Sequence, residues 1–146
     1  MNSFKIIIGG AGMDNGNIEL KRFIDSHKLK NYVYLLGPRD DMPDLLSSMD
    51  VVVNSSFNES FSLILAESMA CQVLCISTIV GDPCNIVGNY GIRKNFNSSE
   101  ELSNEIYMFL NQPKHLIQKD RKLARERIIN DFDLGKTVYK YSLLYN

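Results

Sequence analysis

Short apolar runs rich in β-branched residues alternate along the chain with segments in which apolar residues recur at helical spacing. The short runs are typical of buried parallel strands and predict strands at residues 4–8, 32–36, 51–53, 73–77 and 91–93. The spaced segments predict helices at residues 17–29, 42–49, 61–70, from Ser98 or Ser99 to 111, and 114–132, with the tail to 145 also helical. This alternation predicts an α/β fold with a Rossmann-like parallel sheet and helices on both faces.

The most informative stretch is residues 54–70, which read NSSFNESFSLILAESMA. Ser60 is a suitable N-cap for an almost wholly apolar helix over residues 61–70, and a helix that is apolar all round belongs in the interior of a protein. Glu59 lies just before this predicted helix and Glu67 lies inside it. Because burying an unpaired carboxylate is costly, we expect Glu67 to have a partner or a ligand.

The spacing of the two acids limits their chemistry. Glu59 and Glu67 would lie roughly 12 Å apart along a helix, too far for the carboxylate pair of a retaining glycosidase. The arrangement suits a long anionic ligand, with Glu67 accepting hydrogen bonds from hydroxyl groups. A phosphate would bind backbone N–H groups at the helix start, namely those of Ser60, Phe61, Ser62 and Leu63. A phosphate and a diol together describe a nucleotide sugar.

The run ESFSLILAESMAC resembles the E-x7-E signature of glycosyltransferase family 4 (group 1). Typical members read E-G-F-G-x-x-x-x-E-A-M-A-x-G-x-P-V-V-A-T in the nucleotide-sugar-binding C-terminal domain of a GT-B enzyme. A bare E-x7-E occurs often by chance. The same spacing on a strand, loop and helix, with the F, L and M-A positions in register, is a specific match. The resemblance spans nearly the whole chain.

Three further loops resemble donor-site loops of this family. The sequence GGAG around Gly10 resembles the I-V-G-x-G loop, and it is not a dinucleotide fingerprint because Asn15 stands where a third glycine is needed. Gly37 and Arg39 lie in a loop similar to V-x-F-L-G-R, although Arg39 also fits a solvated turn residue. Gly81 lies in TIVGDPCNIV, which resembles T-x-V-G-G-x-x-E-I-V, and could bring the backbone close to a ligand or simply form a turn.

The resemblance implies transfer of a glycosyl group from a nucleotide sugar with retention, in cell-surface glycan or polysaccharide synthesis. It implies no metal and no further cofactor. By similarity, Glu59 would act catalytically at the sugar or phosphate end and Glu67 would hold the ribose hydroxyls. The amides of residues 60–63 would stabilise the leaving diphosphate. Gly10, Gly37 and the other loop positions named above would complete donor binding.

Departures from the family pattern concern chiefly what the chain lacks. Family members begin this domain with a further strand, V-G-R-L, followed by a lysine, whereas residues 1–3 lead directly into the expected second strand. We therefore expect residues 1–146 to be a single donor-binding domain, the C-terminal half of a GT-B fold, lacking its first strand. Without the N-terminal acceptor-binding domain, the chain alone is expected to be incomplete and inactive. The exposed strand at residues 4–8 would favour a homodimer.

Composition agrees with this interpretation. The 146 residues carry a formal net charge of −1, which gives no reason to expect a nucleic-acid partner. Cys71, Cys75 and Cys84 have no metal-binding spacing and predict reduced cysteines in a core. No apolar run approaches the length of a membrane span, and no signal peptide opens the sequence. These features predict a cytoplasmic protein, peripheral at the inner membrane face through the missing domain.

Two interpretations from other classes stay open on the sequence. The chain could be a non-catalytic remnant or subunit that binds a nucleotide sugar only with a partner chain. It could also be a nucleotide-sugar epimerase-like or nicotinamide-binding domain on a similar sheet, although the absent third glycine argues against nicotinamide.

Overall fold

The computed structural model describes residues 4–96 and 98–145. Helices alternate with parallel strands in these ranges, so the predicted α/β class is confirmed. The elements in chain order are β1 (Ile6–Gly9), α1 (Ile18–Ser26), β2 (Val33–Gly37), α2 (Met42–Ser47), β3 (Val52–Asn54), α3 (Leu63–Ala70), β4 (Cys75–Ser77), α4 (Pro83–Val87), β5 (Ile92–Arg93), α5 (Ser99–Leu110), α6 (Lys114–Asp131) and α7 (Leu134–Ser142).

The chain divides into two compact units, Met1–Met42 and Pro43–Asn146. In the first unit β1 pairs with β2 in parallel. In the second unit β4 pairs in parallel with β3 on one side and with β5 on the other. The described strands therefore form two parallel sheets, in place of the one sheet that the alternation predicts.

In the first unit, the sheet is followed by a well-capped helix. The Oδ1 atom of Asn17 accepts a hydrogen bond of 3.0 Å from the Leu20 N–H, which satisfies one of the free donors at the start of α1. Ile24 is the buried residue of this helix. By contrast, Ile6 and Ile7 of β1 are 40% and 36% exposed, which is unusual for a parallel strand.

The core of the second unit surrounds β4, all three residues of which are buried. Helix α3 packs between this sheet and α6. Burial raises the pKa of the Cys75 thiol to about 12. The buried cluster consists of Leu65, Met69, Leu74, Cys75, Ile76, Ile86, Val87, Phe109 and Ala124.

Several boundaries differ from the sequence-based expectations. Strand β1 ends at Gly9, beyond the expected residue 8, because the chain continues to pair with β2 past a bulge. Helix α4 was not predicted. The C-terminal helix is interrupted after Asp131, and α7 begins afresh because the Asp133 Oδ1 atom accepts from the Lys136 N–H at 3.0 Å. Ser98, and not Ser99, caps α5 through the Glu101 N–H.

Candidate functional site

A buried pair of polar side chains fixes both ends of the segment between β3 and α3. Asn54, the last residue of β3, donates from Nδ2 to the Ser62 Oγ atom at 2.9 Å. The Oδ1 atom of Asn54 accepts from the Ser56 N–H at 3.0 Å and from the Ser56 hydroxyl at 2.6 Å. Asn54 is 9% exposed and Ser62 is 3% exposed. The segment from 55 to 61 is therefore a loop with a defined entry and exit.

Ser62, and not Ser60, is the N-cap of the helix. The expectation that Ser60 caps a helix over residues 61–70 is wrong, because residues 60–62 form part of the loop and α3 begins at Leu63. The estimate of a 12 Å separation between Glu59 and Glu67 along a helix is wrong for the same reason. Only the residues from Leu63 onward rise along the helix axis.

The segment after β4 supports this loop from a second side. Thr78 donates from its N–H to the Asn54 carbonyl at 3.0 Å and from its hydroxyl to the Ser56 carbonyl at 2.7 Å. Further along, the Asp82 N–H donates to the Ser60 carbonyl at 3.1 Å. Two short stretches of backbone, residues 54–60 and 78–82, are thus hydrogen-bonded along their length.

Gly81 makes the closest of these approaches. Its φ is +60°, and a Cβ atom built on it would lie 1.7 Å from the Glu59 carbonyl oxygen. Only glycine fits here without displacing the loop that carries Glu59. The sequence suggested that Gly81 brings backbone close to a ligand or forms a turn, whereas the structure places it against the backbone of Glu59.

Unpaired donors lie at the start of α3. In the described part of the chain, the N–H groups of Phe61, Ser62, Leu63 and Ile64 donate to no backbone or side-chain acceptor. The sequence predicted that the free amides would be those of residues 60–63. Because α3 begins at Leu63, the set also includes the amide of Ile64. Free N–H groups at a helix start, with the positive end of the helix dipole, favour an anion such as a phosphate.

Glu67 is exposed, so the expectation that it is buried inside an apolar helix is wrong. The helix is buried on one side only, through Leu65, Ser68 and Met69. Leu63 lies four residues before Glu67, on the same face, and is 65% exposed. Because Glu67 is not buried, the cost of burying a carboxylate no longer implies that it has a partner. Its carboxylate is instead accessible, on the same exposed face of α3 as Leu63.

The remaining predicted residues of this loop differ in exposure. Glu59 is half-buried and Ser60 is exposed. Phe61 is 40% exposed and contacts Phe132, with ring centroids 6.2 Å apart. The predicted residues of the second unit lie on one loop and on the helix that follows it, and Gly81 contacts that loop at Glu59. They are Glu59, Ser60, Phe61, Ser62, Leu63, Glu67 and Gly81.

In the first unit, the structure brings Gly10 and Gly37 together at the carboxyl ends of β1 and β2. The Gly10 N–H donates to the Gly37 carbonyl at 2.9 Å, and the Gly37 N–H donates to the Met13 carbonyl at 2.8 Å. Both glycines have positive φ, +122° and +65°. These loops meet at the edge where ligands bind in open α/β sheets.

Arg39 lies just beyond Gly37 and is held by a neighbour. Its guanidinium forms a bidentate pair with Asp41, in which Nε donates to Oδ1 at 2.7 Å and Nη2 donates to Oδ2. This hydrogen bonding lowers the pKa of Asp41 and raises the pKa of Arg39. Both side chains are exposed, so a phosphate would compete with Asp41 for Arg39.

Sequence reasoning missed the residues that hold the loop. Asn54, Thr78 and the side chain of Ser62 contribute hydrogen bonds that no spacing rule suggested. A polar residue ending a buried apolar strand, as Asn54 does after three valines, was the available signal. Within residues 4–96 and 98–145, no group of three His, Cys, Asp or Glu side chains could hold a metal ion. No helix in these ranges is both long and apolar enough to cross a membrane.

The sequence matches the family profile described as "Glycosyl transferases group 1" over residues 2–112. The chain belongs to the group 1 glycosyltransferases. The resemblance seen in the E-x7-E stretch is thereby confirmed. The profile includes the loops around Gly10, Gly37, Glu59 and Gly81 and ends within the second unit, at residue 112.

Two curated relatives align with almost all of this group 1 chain. It is 27% identical over 143 residues to the N-acetyl-alpha-D-glucosaminyl L-malate synthase of Bacillus anthracis, covering 97% of this chain and 37% of the relative. It is 29% identical over 147 residues to the UDP-Gal:alpha-D-GlcNAc-diphosphoundecaprenol alpha-1,3-galactosyltransferase of Escherichia coli, covering 99% of this chain and 37% of the relative. The chain thus spans 37% of the length of each.

Solved structures agree on the fold. A glycosyltransferase from Rickettsia africae ESF-5 superposes with a TM-score of 0.86 at 25% identity, covering 97% of this chain and 39% of that one. Anabaena Alr3699/HepE, solved in complex with UDP, gives a TM-score of 0.86 at 23% identity, covering 97% and 40%. The Rossmann-like fold of a GT-B C-terminal domain is therefore confirmed.

Proposed function

We propose that this chain is the donor-binding half of a retaining glycosyltransferase that takes its glycosyl group from a nucleotide sugar. The diphosphate binds the free amides at the start of α3, and Glu67 accepts hydrogen bonds from the ribose hydroxyls. Glu59 acts at the sugar or phosphate end. The observation that supports this best is the run of unpaired N–H groups from Phe61 to Ile64, on an accessible helix face that also presents Glu67.

The rigidity of the loop supports a catalytic use of these amides. Donors stabilise developing charge most effectively when they are held in place before the reaction. The hydrogen bonds from Asn54 to Ser62 and from Asp82 to Ser60 hold the loop through protein groups alone. Gly10, Gly37 and Arg39, in the first unit, stay proposed donor-binding residues on the family resemblance alone.

The strand order supports the proposal that the first strand of the domain is missing. In a doubly wound sheet of order 3-2-1-4-5-6, the first strand pairs with both the second and the fourth. Without it, the other strands are left as 3-2 and 4-5-6. The chain shows the same two groups, β1 with β2 and β3 with β4 and β5. The exposed Ile6 and Ile7 of β1 agree with an absent neighbour.

Two of the relatives bear on the choice of acceptor. One is named for L-malate and the other for a diphosphoundecaprenol-linked acceptor, so the proposal specifies the donor side and leaves acceptor choice to the part of the enzyme outside this chain. Because this chain spans 37% of those relatives, we propose that transfer requires that other part. We further propose a cytoplasmic enzyme that approaches the membrane through it.

Calorimetric titration of the chain with UDP, GDP and ADP tests donor binding. We expect one nucleotide to bind with a dissociation constant in roughly the millimolar range, because residues 1–146 do not include the strand and lysine that, by the family resemblance, hold the diphosphate. Glu67→Ala should weaken that binding by about 1.5–3 kcal/mol. Glu126→Ala, at an exposed position of α6, is the matched control and should bind as the unaltered chain does. Equal affinity of the folded Glu67→Ala variant would contradict the assigned role.

A further inference from the structure

Arg127, on α6, makes more contacts with neighbouring elements than a solvated helix residue needs. Its Nε atom donates to the Ile86 carbonyl at 3.0 Å, and its Nη2 atom donates to the Asn85 carbonyl. Its Nη1 atom pairs with Asp131 at 3.2 Å. The guanidinium also lies over the ring of Phe132, 5.7 Å from the centroid. The guanidinium of Arg127 is therefore held by four partners.

The hydrogen bonds of Arg127 to the Asn85 and Ile86 carbonyls connect it, through α4, to the loop before α3. Asn85 and Ile86 are near the end of this short helix, where carbonyl groups lack helical partners and a cation is favourable. At its other end, the N-cap residue Asp82 donates its N–H to the Ser60 carbonyl. Helix α4 thus joins the guanidinium of Arg127 to the backbone of Ser60.

The contact of Arg127 with Phe132 connects it to the same loop, through the aromatic pair of Phe132 and Phe61. Phe132 lies under the guanidinium of Arg127, a favourable arrangement of a cation and an aromatic face. The same ring contacts Phe61. Phe61 directly follows Ser60 in the loop, so both routes from Arg127 end at adjacent residues.

Gly88 makes room for this arrangement. It follows α4 with a φ of +58°, and a Cβ atom built on it would lie 2.8 Å from the Arg127 Nε atom. The backbone after α4 is therefore shaped to accept the guanidinium, which agrees with a defined position for Arg127.

We propose that Arg127 is a positioning residue for the loop segment Glu59–Ser62. Its guanidinium fixes α4 and the Phe132 ring together, and these two supports fix Ser60 and Phe61. The consequence for nucleotide binding rests on the function proposed above, whereas the positioning itself does not. Lysine cannot replace this geometry fully, since a single ammonium group lacks the planar fork that reaches two carbonyls.

Amide hydrogen exchange tests the positioning without any ligand. The readout is a ratio of two exchange rates, that of the Asp82 amide divided by that of the β4 amides. The Asp82 amide exchanges when its bond to the Ser60 carbonyl breaks, whereas the β4 amides report global unfolding. Arg127→Ala should raise this ratio by at least about tenfold, and Arg127→Lys should raise it less. Phe132→Leu should raise it through the second route and remains informative if Arg127→Ala does not fold.

Arg125→Ala is the matched control, because Arg125 lies on the same helix and also donates to a carbonyl, that of Ala70 at the end of α3. It should leave the ratio unchanged. An unchanged ratio in all three test variants, or an equal acceleration of the Asp82 and β4 amides, would overturn the proposal. Titration of the same variants with UDP is a separate experiment. Weaker binding by Arg127→Ala, but not by Arg125→Ala, would link the positioning of the loop to donor binding. If the unaltered chain binds no nucleotide while the exchange ratio changes, the proposed function fails and the positioning stands.

Discussion

The Nδ2 atom of Asn54 donates a buried hydrogen bond of 2.9 Å to the Oγ atom of Ser62, eight residues later in the chain. This bond joins the end of β3 to the N-cap of α3. It therefore sets where the helix begins and in which direction its free amides point. In this chain a buried polar pair thus holds the start of the helix for which donor binding is proposed.

Replacing Asn54 with alanine should destabilise the second unit by about 1–3 kcal/mol, because the Ser62 hydroxyl and the Ser56 N–H lose a buried partner. Urea unfolding followed by circular dichroism measures this change. Asn58→Ala, in the exposed part of the same loop, is the control and should change stability by less than about 0.5 kcal/mol. Equal effects of the two substitutions would show that the buried bond contributes nothing.

Gly81→Ala should be more damaging than a glycine substitution elsewhere in the second unit. The left-handed backbone costs an alanine roughly 1–2 kcal/mol, and the added Cβ must also displace the Glu59 carbonyl. We expect a loss of at least about 2 kcal/mol in unfolding free energy, together with loss of nucleotide binding. Gly135→Ala, inside α7, is the matched change: its backbone is not left-handed and the added Cβ would meet only the Asp133 Oδ1 atom, at 3.1 Å, so it should change stability by less than about 1 kcal/mol. A Gly81→Ala variant as stable as Gly135→Ala would show that the loop can move away freely.

The buried thiol of Cys75 predicts a loss of stability at alkaline pH. Between about pH 9 and 12 the unfolded chain releases this proton and the folded chain keeps it, so the free energy of unfolding should fall by about 1.4 kcal/mol per pH unit. Below that range the contribution is constant. Cys75→Val should remove this part of the slope, whereas Cys71→Ser, at a half-buried position, should retain it. Parallel slopes for the unaltered chain and Cys75→Val would contradict the prediction.

The isolated chain should transfer no sugar, because acceptor binding and part of donor binding are assigned to the part of the enzyme outside it. A chimera joining the N-terminal part of the Escherichia coli relative to this chain should restore transfer to that relative's lipid-linked acceptor, assayed with a panel of nucleotide sugars. The same chimera with Glu59→Ala should lose it. Turnover by the isolated chain would show that the active site has been misplaced.

The sequence was sufficient for the order of the strands and of most helices, though not for α4 or for the break before α7, because short β-branched runs and helical spacing are local features. It was misleading about Glu67. A stretch that is apolar on every side looks buried, yet α3 packs on one face only and leaves Leu63 and Glu67 exposed. Which face packs is decided by α6 and the sheet, and these contacts are distant in sequence.

The supports of the loop were beyond prediction for the same reason. The bonds from Thr78 to Ser56 and from Asp82 to Ser60 join segments more than twenty residues apart. The contacts of Arg127 with α4 span about twice that distance along the chain. Spacing rules describe neighbours on one element, so they identify Glu59 without showing what holds it.

Two-dimensional NMR of the isotopically labelled chain during titration with UDP tests the central claim most directly, since it detects weak binding and locates it. With UDP raised to about 10 mM, the largest shifts should fall on the amides of residues 60–64 and around Glu67, and inorganic sulfate should reproduce only the part at the helix start. Shifts concentrated away from α3 and its preceding loop would contradict the account, as would spectra that UDP, GDP and ADP all leave unchanged.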